Sequence, residues 1–483
     1  MKVPIVIPNI FDHPFTYDSN SLNLDKGNYV TVPFGATKIT GIVWNSFEKT
    51  EKKFQIKKIE KKLNVPKMKG SMIDFLSWFS IYNIVPIGMC IRLALLSKGI
   101  VENISESSFN QYQISKKNSN YTLNLEQKKC LSDIQKKGKK FSVHVLDGVT
   151  GSGKTEVYLR GVERCLEQER GAIILVPEIA LTPQTVARFR ARCGEVAVLH
   201  SGLTDAERRD QWLAIAEGRL RVVVGARSAL FAPVPNLGLI VLDEEHESSF
   251  KQESVPRYHA RAVARERAHI EGAVCVLGSA TPSLESWRAA NEGEITLLQL
   301  PERVAGGSLP RVRLVDMRYE KPEQGKWLVI SRPLEEALKE AFHNGEQAIL
   351  FLNRRGYASA WHCRQCGGSV SCARCDVALT FHRFRERALC HRCLEEIPSP
   401  QSCPDCGGAV SKIGIGTERA EETVKRLFPE SRIARMDRDT MVRREDYETI
   451  LRDFGQGEYD VLLGTQMIAK GLDFPTVTVV GVL

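Results

Sequence analysis

The stretch DGVTGSGKT, residues 147–155, decides the fold of this 483-residue chain. It fits the pattern G-x-x-x-x-G-K-[ST] and stands between a strand-like run, FSVHVL, and a helical pattern. Glycines let backbone N–H groups curl around phosphates at the positive end of the following helix. Within this loop, Lys154 should meet the β- and γ-phosphates of ATP, and the Thr155 hydroxyl should ligate Mg²⁺. The predicted ATP-binding loop is Gly148, Val149, Thr150, Gly151, Ser152, Gly153, Lys154 and Thr155.

A second acidic motif lies further along the chain, in LIVLDEEH, residues 239–246. It places Asp243 and Glu244 at the carboxyl end of an apolar run, where ligands of an open α/β sheet bind. An acidic cluster after a strand is by itself usually a solvated loop. Together with the phosphate loop it indicates an ATP-hydrolysing site, in which Asp243 holds Mg²⁺ and Glu244 orients or deprotonates the attacking water. The predicted catalytic residues are Lys154, Asp243 and Glu244.

Apolar runs alternate with helical patterns on both sides of these motifs, for example AIILVPEIA, RVVVGARSA and AVCVLGSATP. This alternation is typical of a parallel sheet covered by helices on both faces. A second set begins near Ser331 with a helix at 333–344 and the strand QAILFLN, and it resumes with ESRIARMD and YDVLLGTQ. We therefore predict an α/β fold with two RecA-like lobes.

The order of patterns predicts the domain organisation. Strands at 3–7, 29–34 and 39–44, followed by two helices that meet at Pro86, indicate a β-rich N-terminal domain. A stretch rich in Ser, Asn, Gln and Lys follows it and reads as a linker. The predicted segments are the N-terminal domain 1–100, the linker 101–121, the first lobe 122–305 and the second lobe 306–483, with a Cys-rich insert at 360–410.

Charge is concentrated in the first third of the chain. Residues 1–150 carry 22 Lys+Arg against 12 Asp+Glu, whereas the whole chain has a net charge of +9. A basic module beside a neutral motor suits a polyanionic partner, although a solvated lysine-rich face is the plainer explanation of the charge alone. We expect no membrane span, since Asp74, Pro86 and Arg92 interrupt the most apolar segment.

Eight of the 13 cysteines form four Cys-x-x-Cys pairs in a short segment. Such a turn presents two thiolates to one metal, and Zn²⁺ takes four ligands in tetrahedral geometry. We predict two structural Zn²⁺ ions per chain and a reducing cytoplasm, with a redox role as the alternative. Spacing alone leaves the combination of pairs open. The predicted ligands are Cys363, Cys366, Cys372, Cys375, Cys390, Cys393, Cys403 and Cys406.

Several motifs together resemble those of superfamily 2 helicases, namely DGVTGSGKT, DEEH, GSATPS (278–283) and GTQMIAKGLDFP (464–475). The sequences of four other segments resemble those of the replication-restart helicases of the primosomal protein N′ (PriA) family. These are ILVPEIALTPQT (174–185), HSGL (200–203), VVVGARSALFAP (222–233) and FLNRRGYA (351–358). The resemblance covers nearly all of residues 122–483, and the N-terminal hundred residues also share it.

The resemblance implies further roles for single residues. Gln127 should read adenine, and Ser279 and Thr281 should couple the nucleotide state to DNA. The implied cysteine arrangement is nested, with 363/366 beside 403/406 and 372/375 beside 390/393. The implied DNA contacts are Phe250, Lys251, Arg257, Tyr258, Arg354 and Arg355. Aromatic rings interleaved with cations also suit stacking on single-stranded bases, while core packing is an equally good explanation of Phe250 and Tyr258.

Three features depart from the family pattern. Thr16 in PFTY (14–17) replaces an acidic residue, which weakens the prediction that the N-terminal domain captures a 3′ end. Only about twenty residues stand where the family carries a winged-helix domain, so we expect this domain to be missing. The sequence stops before the Gln-x-x-Gly-Arg-x-Gly-Arg motif that supplies an arginine finger. We therefore expect C-terminal truncation, ATP binding with slow hydrolysis, and exposed apolar side chains at Val477, Val479 and Val482.

The implied function is ATP-dependent 3′→5′ unwinding of DNA at stalled or collapsed replication forks, followed by assembly of the restart primosome. Its cofactors would be ATP, Mg²⁺ and two Zn²⁺. Its partners would be forked and single-stranded DNA, a 3′ end, primosome proteins and single-stranded-DNA-binding protein, in the cytoplasm beside the nucleoid. The alternative is a non-catalytic scaffold that binds fork DNA and uses ATP and zinc structurally.

Overall fold

The chain forms two compact units in a computed structural model, Met1–Leu309 and Pro310–Leu483. The residues that the structure describes are 1–45, 56–95, 122–136, 140–177, 181, 183–304, 310–317, 319–320, 328–352, 359–363, 365–382, 387–390, 392–413, 417–436, 444–465, 468 and 474–483. The predicted linker 101–121 lies outside these residues, as do Arg354 and Arg355.

The first unit opens with a small antiparallel sheet of five strands in the order β2-β1-β4-β3-β5. Val3, Ile5, Val30 and Val32 point into its core, since apolar residues at every second position share one face of a strand. The strands are β1 (Lys2–Val6), β2 (Phe15–Asp18), β3 (Tyr29–Phe34), β4 (Thr37–Val43) and β5 (Lys61–Lys62).

Two helices, α1 (Gly70–Asn83) and α2 (Ile87–Leu95), join this sheet to the rest of the unit. The first helix ends at Ile84, whose backbone is left-handed, and Pro86 starts the second. Phe79 of α1 lies edge-on against Phe231 and Tyr258, with ring centroids 5.2 and 5.4 Å apart. The N-terminal helices therefore share one apolar core with the segment that follows.

That segment is a seven-stranded parallel sheet in the order β14-β6-β13-β10-β7-β9-β8. Its strands are β6 (Ser142–Gly148), β7 (Gly171–Leu175), β8 (Ala197–Leu199), β9 (Val222–Gly225), β10 (Leu237–Asp243), β13 (Val274–Ser279) and β14 (Thr296–Leu300), and a short hairpin holds β11 (Lys251–Gln252) and β12 (Tyr258–His259). The helices are α3 (Leu125–Lys136), α4 (Lys154–Glu167), α5 (Pro183–Cys193), α6 (Asp205–Ala216), α7 (Ala260–Glu271) and α8 (Leu284–Asn291).

The central strands of this sheet are buried on both faces, which explains their continuous apolar sequences. The strand order sets three motifs side by side, because β13 lies between β6 and β10. All three strands are parallel, so Gly148, Asp243 and Ser279 end at one edge of the sheet. The ligand site of an open α/β sheet is expected at this edge.

The second unit has a parallel sheet in the order β21-β22-β15-β23 and a separate five-stranded sheet in the order β19-β18-β17-β16-β20. The parallel sheet and its helices consist of α9 (Arg332–His343), β15 (Gln347–Phe351), α10 (Thr417–Leu427), β21 (Ile433–Met436), α11 (Arg444–Gly455), β22 (Val461–Gly464) and β23 (Val477–Val482). The Cys-rich sheet consists of β16 (Ser359–Cys363), β17 (Thr380–His382), β18 (Arg387–Leu389), β19 (Glu396–Pro398) and β20 (Val410–Ile413).

The predicted fold class is confirmed, with α/β lobes, a β-rich N-terminal domain and a Cys-rich insert. On β23, Val482 is 71% exposed, whereas Val477 and Val479 are only partly exposed and pack against the cores of the second unit. Within the described residues, no helix combines the length and the apolar character that a membrane crossing requires.

Candidate functional site: a nucleotide pocket and two cysteine clusters

The phosphate loop connects β6 to α4. Gly151 and Gly153 have φ angles of +81° and +82°, a left-handed backbone that glycine adopts without a Cβ penalty. The Lys154 ammonium donates to the carbonyl of Gly148 at 2.8 Å, across the turn. The loop is therefore folded around a lysine whose side chain is almost wholly buried. An ammonium in this position suits phosphate oxygens as a point charge.

Gln127, on α3, lies against the same loop. Its side-chain amide donates to the carbonyl of Ser152 at 3.0 Å, and its carbonyl accepts from the backbone N–H of Asn124 at 3.1 Å. The amide is so close to Gly153 that a Cβ there would lie 2.3 Å from the Gln127 Nε2 atom. The structure thus brings Gln127 to the loop that the sequence assigned to ATP.

Asp243 reaches this loop from the neighbouring part of the sheet. Its carboxylate accepts a hydrogen bond from the Tyr158 hydroxyl at 3.1 Å, and Tyr158 lies on the helix that starts at Lys154. Burial raises the pKa of Asp243 to about 6, with a further rise from the adjacent Glu244 carboxylate. A carboxylate with these neighbours gains most from a cation, so its oxygen chemistry fits Mg²⁺.

Tyr158 is a site residue that the sequence analysis missed. A Cβ on Gly278 would lie 1.6 Å from the Tyr158 hydroxyl oxygen, so the ring fits only because β13 carries glycine there. The spacing of four residues between Lys154 and Tyr158 puts both on one face of α4. That spacing was the one available signal, and it is too common in helices to single out a tyrosine.

The other two residues of DEEH have different surroundings. Glu245 is fully buried, accepts from Arg261 and from the backbone N–H of Ser283 at 2.7 Å each, and therefore stabilises the loop. His246 faces the next motif, with its Nδ1 atom 2.7 Å from the Ser279 hydroxyl. That hydroxyl also accepts from the backbone N–H of Thr281 at 2.9 Å. The motifs DEEH and GSATPS are thus in direct contact.

Of the predicted DNA contacts that the structure describes, two are buried and two are exposed. Phe250 and Tyr258 are 1% and 5% exposed and pack in the core that also contains Phe79. The core-packing explanation therefore holds for both rings, which present no face to a base in this structure. Lys251 and Arg257 have exposed side chains on the same hairpin, and their role as DNA contacts stays a prediction.

The eight predicted zinc ligands form two groups, in the nested arrangement that the family resemblance implied. In each group the four Sγ atoms lie within 4.8 Å of one another. Pairs such as Cys363–Cys406, Cys366–Cys403 and Cys372–Cys393 have Sγ atoms 3.4, 3.8 and 3.6 Å apart. A tetrahedron with Zn–S distances of about 2.3 Å has edges of roughly 3.8 Å, so both groups fit one Zn²⁺ each.

The same backbone turn builds all four cysteine pairs. The N–H of each first cysteine donates across the turn at 2.8–2.9 Å, for example from Cys363 to Gly368 and from Cys403 to Gly408. The residue after each second cysteine has a positive φ, and this residue is glycine at positions 367 and 407. Backbone N–H groups of Cys366 and Gln365 lower the pKa of Cys363 to about 6, whereas the pKa of Cys406 in the same group rises to about 12 through hydrogen bonds to the other sulfurs, so Cys363 ionises before Cys406.

Comparison with known proteins is consistent with this geometry. A DEAD/DEAH box helicase model matches residues 124–289, and a helicase conserved C-terminal domain matches residues 413–483. A 3′ DNA-binding domain model matches residues 2–96, and the PriA DNA helicase Cys-rich region matches residues 372–398. The fold, the phosphate loop and the cysteine clusters are those of a DEAD/DEAH-type helicase with a zinc module.

Curated relatives specify the family. The chain is 48% identical to replication restart protein PriA of Bacillus subtilis over 396 residues, 80% of this chain and 49% of that protein. It is 36% identical to that of Rickettsia conorii over 469 residues, 96% of this chain and 70% of that protein. The chain belongs to the PriA family of replication restart proteins. It spans about half the length of several relatives, including those of Bacillus subtilis and Chlamydia pneumoniae.

Proposed function

We propose that this chain binds and hydrolyses ATP to move along DNA in the 3′→5′ direction and to unwind it at stalled or collapsed replication forks. The observation that carries the proposal is the convergence of Gln127, the phosphate loop and Asp243 at one edge of the parallel sheet. The partners that we propose are forked DNA with a 3′ end, restart primosome proteins and single-stranded-DNA-binding protein. The proposed location is the cytoplasm beside the nucleoid.

The proposed roles follow from the atoms that each residue offers. Lys154 neutralises the β- and γ-phosphates, and the loop N–H groups donate to their oxygens. Thr155 and Asp243 would hold Mg²⁺, which supplies charge neutralisation at the phosphates. Glu244 orients the attacking water or accepts its proton. Gln127 recognises adenine through its amide.

Contact between motifs supports coupling to DNA. The Nδ1 atom of His246 lies 2.7 Å from the Ser279 hydroxyl and 3.6 Å from a carboxylate oxygen of Glu244, the proposed catalytic residue. A change at the γ-phosphate can therefore shift Ser279 and, through its hydroxyl, the backbone of Thr281. We propose that this contact transmits the nucleotide state to bound DNA, with Lys251 and Arg257 among the phosphate-binding side chains and Arg354 and Arg355 as further DNA contacts.

The test is DNA-stimulated ATP hydrolysis by the wild-type chain and two matched variants. Glu244→Gln should lower the stimulated rate about 100-fold or more, the usual contribution of a general base, with ATP binding retained. Glu294→Gln, an exposed carboxylate just before the amino end of β14, should hydrolyse at the wild-type rate. ATP binding without any DNA-stimulated hydrolysis in the wild type would favour the scaffold alternative. Duplexes with single 3′ or 5′ tails then test the direction of movement.

A further inference from the structure

The segment that leaves β14 lies on the phosphate loop. β14 is an outermost strand of the sheet and runs parallel to its neighbour β6, so the carboxyl ends of the two strands lie next to each other. The backbone N–H of Val149 donates to Leu300 at 3.2 Å, and the N–H of Val304 donates to Gly151 at 3.0 Å. The Arg303 Nε atom donates to the carbonyl of Thr150 at 2.9 Å. Residues 300–304, hereafter the strap, thus bond to three consecutive residues of the loop, 149–151.

The fit between the strap and the loop is close. A Cβ on Gly151 would lie 3.3 Å from the Arg303 Nε atom, so the guanidinium rests directly over this glycine. A Cβ on Gly153 would lie 2.3 Å from the Gln127 Nε2 atom and 3.1 Å from the Val304 Cγ2 atom. Both α3 and the strap therefore pack closely on the phosphate loop.

The Thr150 carbonyl belongs to a peptide unit whose other end is the N–H of Gly151. Because a trans peptide is planar, fixing the direction of the carbonyl fixes the opposite direction of that N–H. A loop that binds phosphate needs its N–H groups oriented before the ligand arrives, since ordering them on binding costs affinity. A guanidinium donor on this carbonyl provides that orientation and leaves a positive charge beside the loop.

We propose that Arg303 is a positioning residue of the nucleotide site, which orients the Thr150–Gly151 peptide for phosphate binding. The inference rests on the proposed function, because it assumes that the loop binds ATP. Arg303 acts on binding and not on the chemical step. Its removal should thus change the dissociation constant for nucleotide while turnover at saturating ATP stays the same.

The experiment compares Arg303→Ala and Arg303→Lys with the wild-type chain and with Arg288→Ala, an exposed arginine on α8 paired with Glu292. The Kd for a fluorescent ATP analogue with Mg²⁺ is measured by titration, together with turnover at saturating ATP. Arg303→Ala should raise the Kd about tenfold, the loss expected for one charge-assisted hydrogen bond. Arg303→Lys keeps a cationic donor and should give an intermediate Kd.

A structural role alone predicts other results. If Arg303→Ala binds the analogue like the wild type, or if it lowers the melting temperature without nucleotide and leaves the Kd unchanged, the proposal is wrong. A fall in turnover at saturating ATP with an unchanged Kd would also overturn it. Failure of the proposed function is distinguishable, because then the wild type and Arg288→Ala would fail to bind the analogue as well.

Discussion

Replacing Asp243 by Asn should raise the free energy of unfolding and abolish ATP hydrolysis. Burial beside Glu244 raises the pKa of Asp243 from 3.8 to about 6. Below pH 3.8 both the folded and the unfolded states carry the proton. As the pH rises from 3.8 to 6, the unfolded state ionises first, so the free energy of unfolding falls and then stays constant above pH 6. Ionisation of Asp243 in the folded state therefore lowers the free energy of unfolding.

The magnitude follows from the size of the shift. About two pKa units at 1.36 kcal/mol each amount to roughly 3 kcal/mol at pH 8 and about half of that at pH 5. This is an upper limit, since the Asp243 side chain keeps some solvent contact. Asn has nearly the same shape, can still accept from Tyr158 and cannot ionise. Asp243→Asn should therefore gain up to about 3 kcal/mol at pH 8, or roughly 5 °C in melting temperature.

The assay is thermal unfolding of the wild-type chain, Asp243→Asn and the exposed control Asp74→Asn at pH 5 and pH 8, with EDTA to remove Mg²⁺. The gain of Asp243→Asn over the wild type should be larger at pH 8, and Asp74→Asn should match the wild type at both values. A loss of stability on replacement of Asp243, or a gain independent of pH, would refute the assignment of a desolvated carboxylate. Mg²⁺-dependent ATP hydrolysis should disappear in the same variant.

Three further predictions concern metal, nucleotide and core. Elemental analysis of protein purified without added metal should give two zinc ions per chain, and a ratio near one would contradict the prediction of two four-sulfur sites. Cys372→Ser should unfold the Cys-rich sheet, since ligation energy is folding energy in such modules. Lys154→Ala should weaken ATP binding sharply in a titration but leave the affinity for single-stranded DNA nearly intact, and equal loss of both would argue against separate sites. Tyr258→Ala should cost about 3–5 kcal/mol in denaturant unfolding, as for other buried aromatic residues, whereas an exposed DNA-stacking ring would cost little stability.

Much of the proposed nucleotide site could be predicted because its residues are close in sequence. Gly148 to Thr155 form a local turn between a strand and a helix, and the backbone alone brings them together. Asp243 could be added because carboxyl ends of parallel strands share an edge of the sheet. Tyr158 could not, since its role depends on the space left by Gly278 on a different strand.

The cysteine pairs show the same division. Each Cys-x-x-Cys turn is a local structure, so the residue types and their spacing predicted eight metal ligands. The combination of pairs depends on how β16 to β20 align in one sheet, and residue spacing leaves it open. The family resemblance implies a nested arrangement, and the structure has the same arrangement.

The hairpin at 248–259 is the clearest case in which tertiary structure decided. Its sequence interleaves aromatic residues with cations and suits both DNA stacking and core packing, because a ring has the same chemistry in either place. Phe79 of the N-terminal domain is distant from Tyr258 in sequence but packs against its ring, so that Tyr258 is buried in a shared core. The sequence by itself determined which residues form strands, the phosphate loop and the metal-binding turns, since these depend on near neighbours. Only the folded chain decided which apolar faces meet, because burial depends on contacts between segments that are distant in sequence.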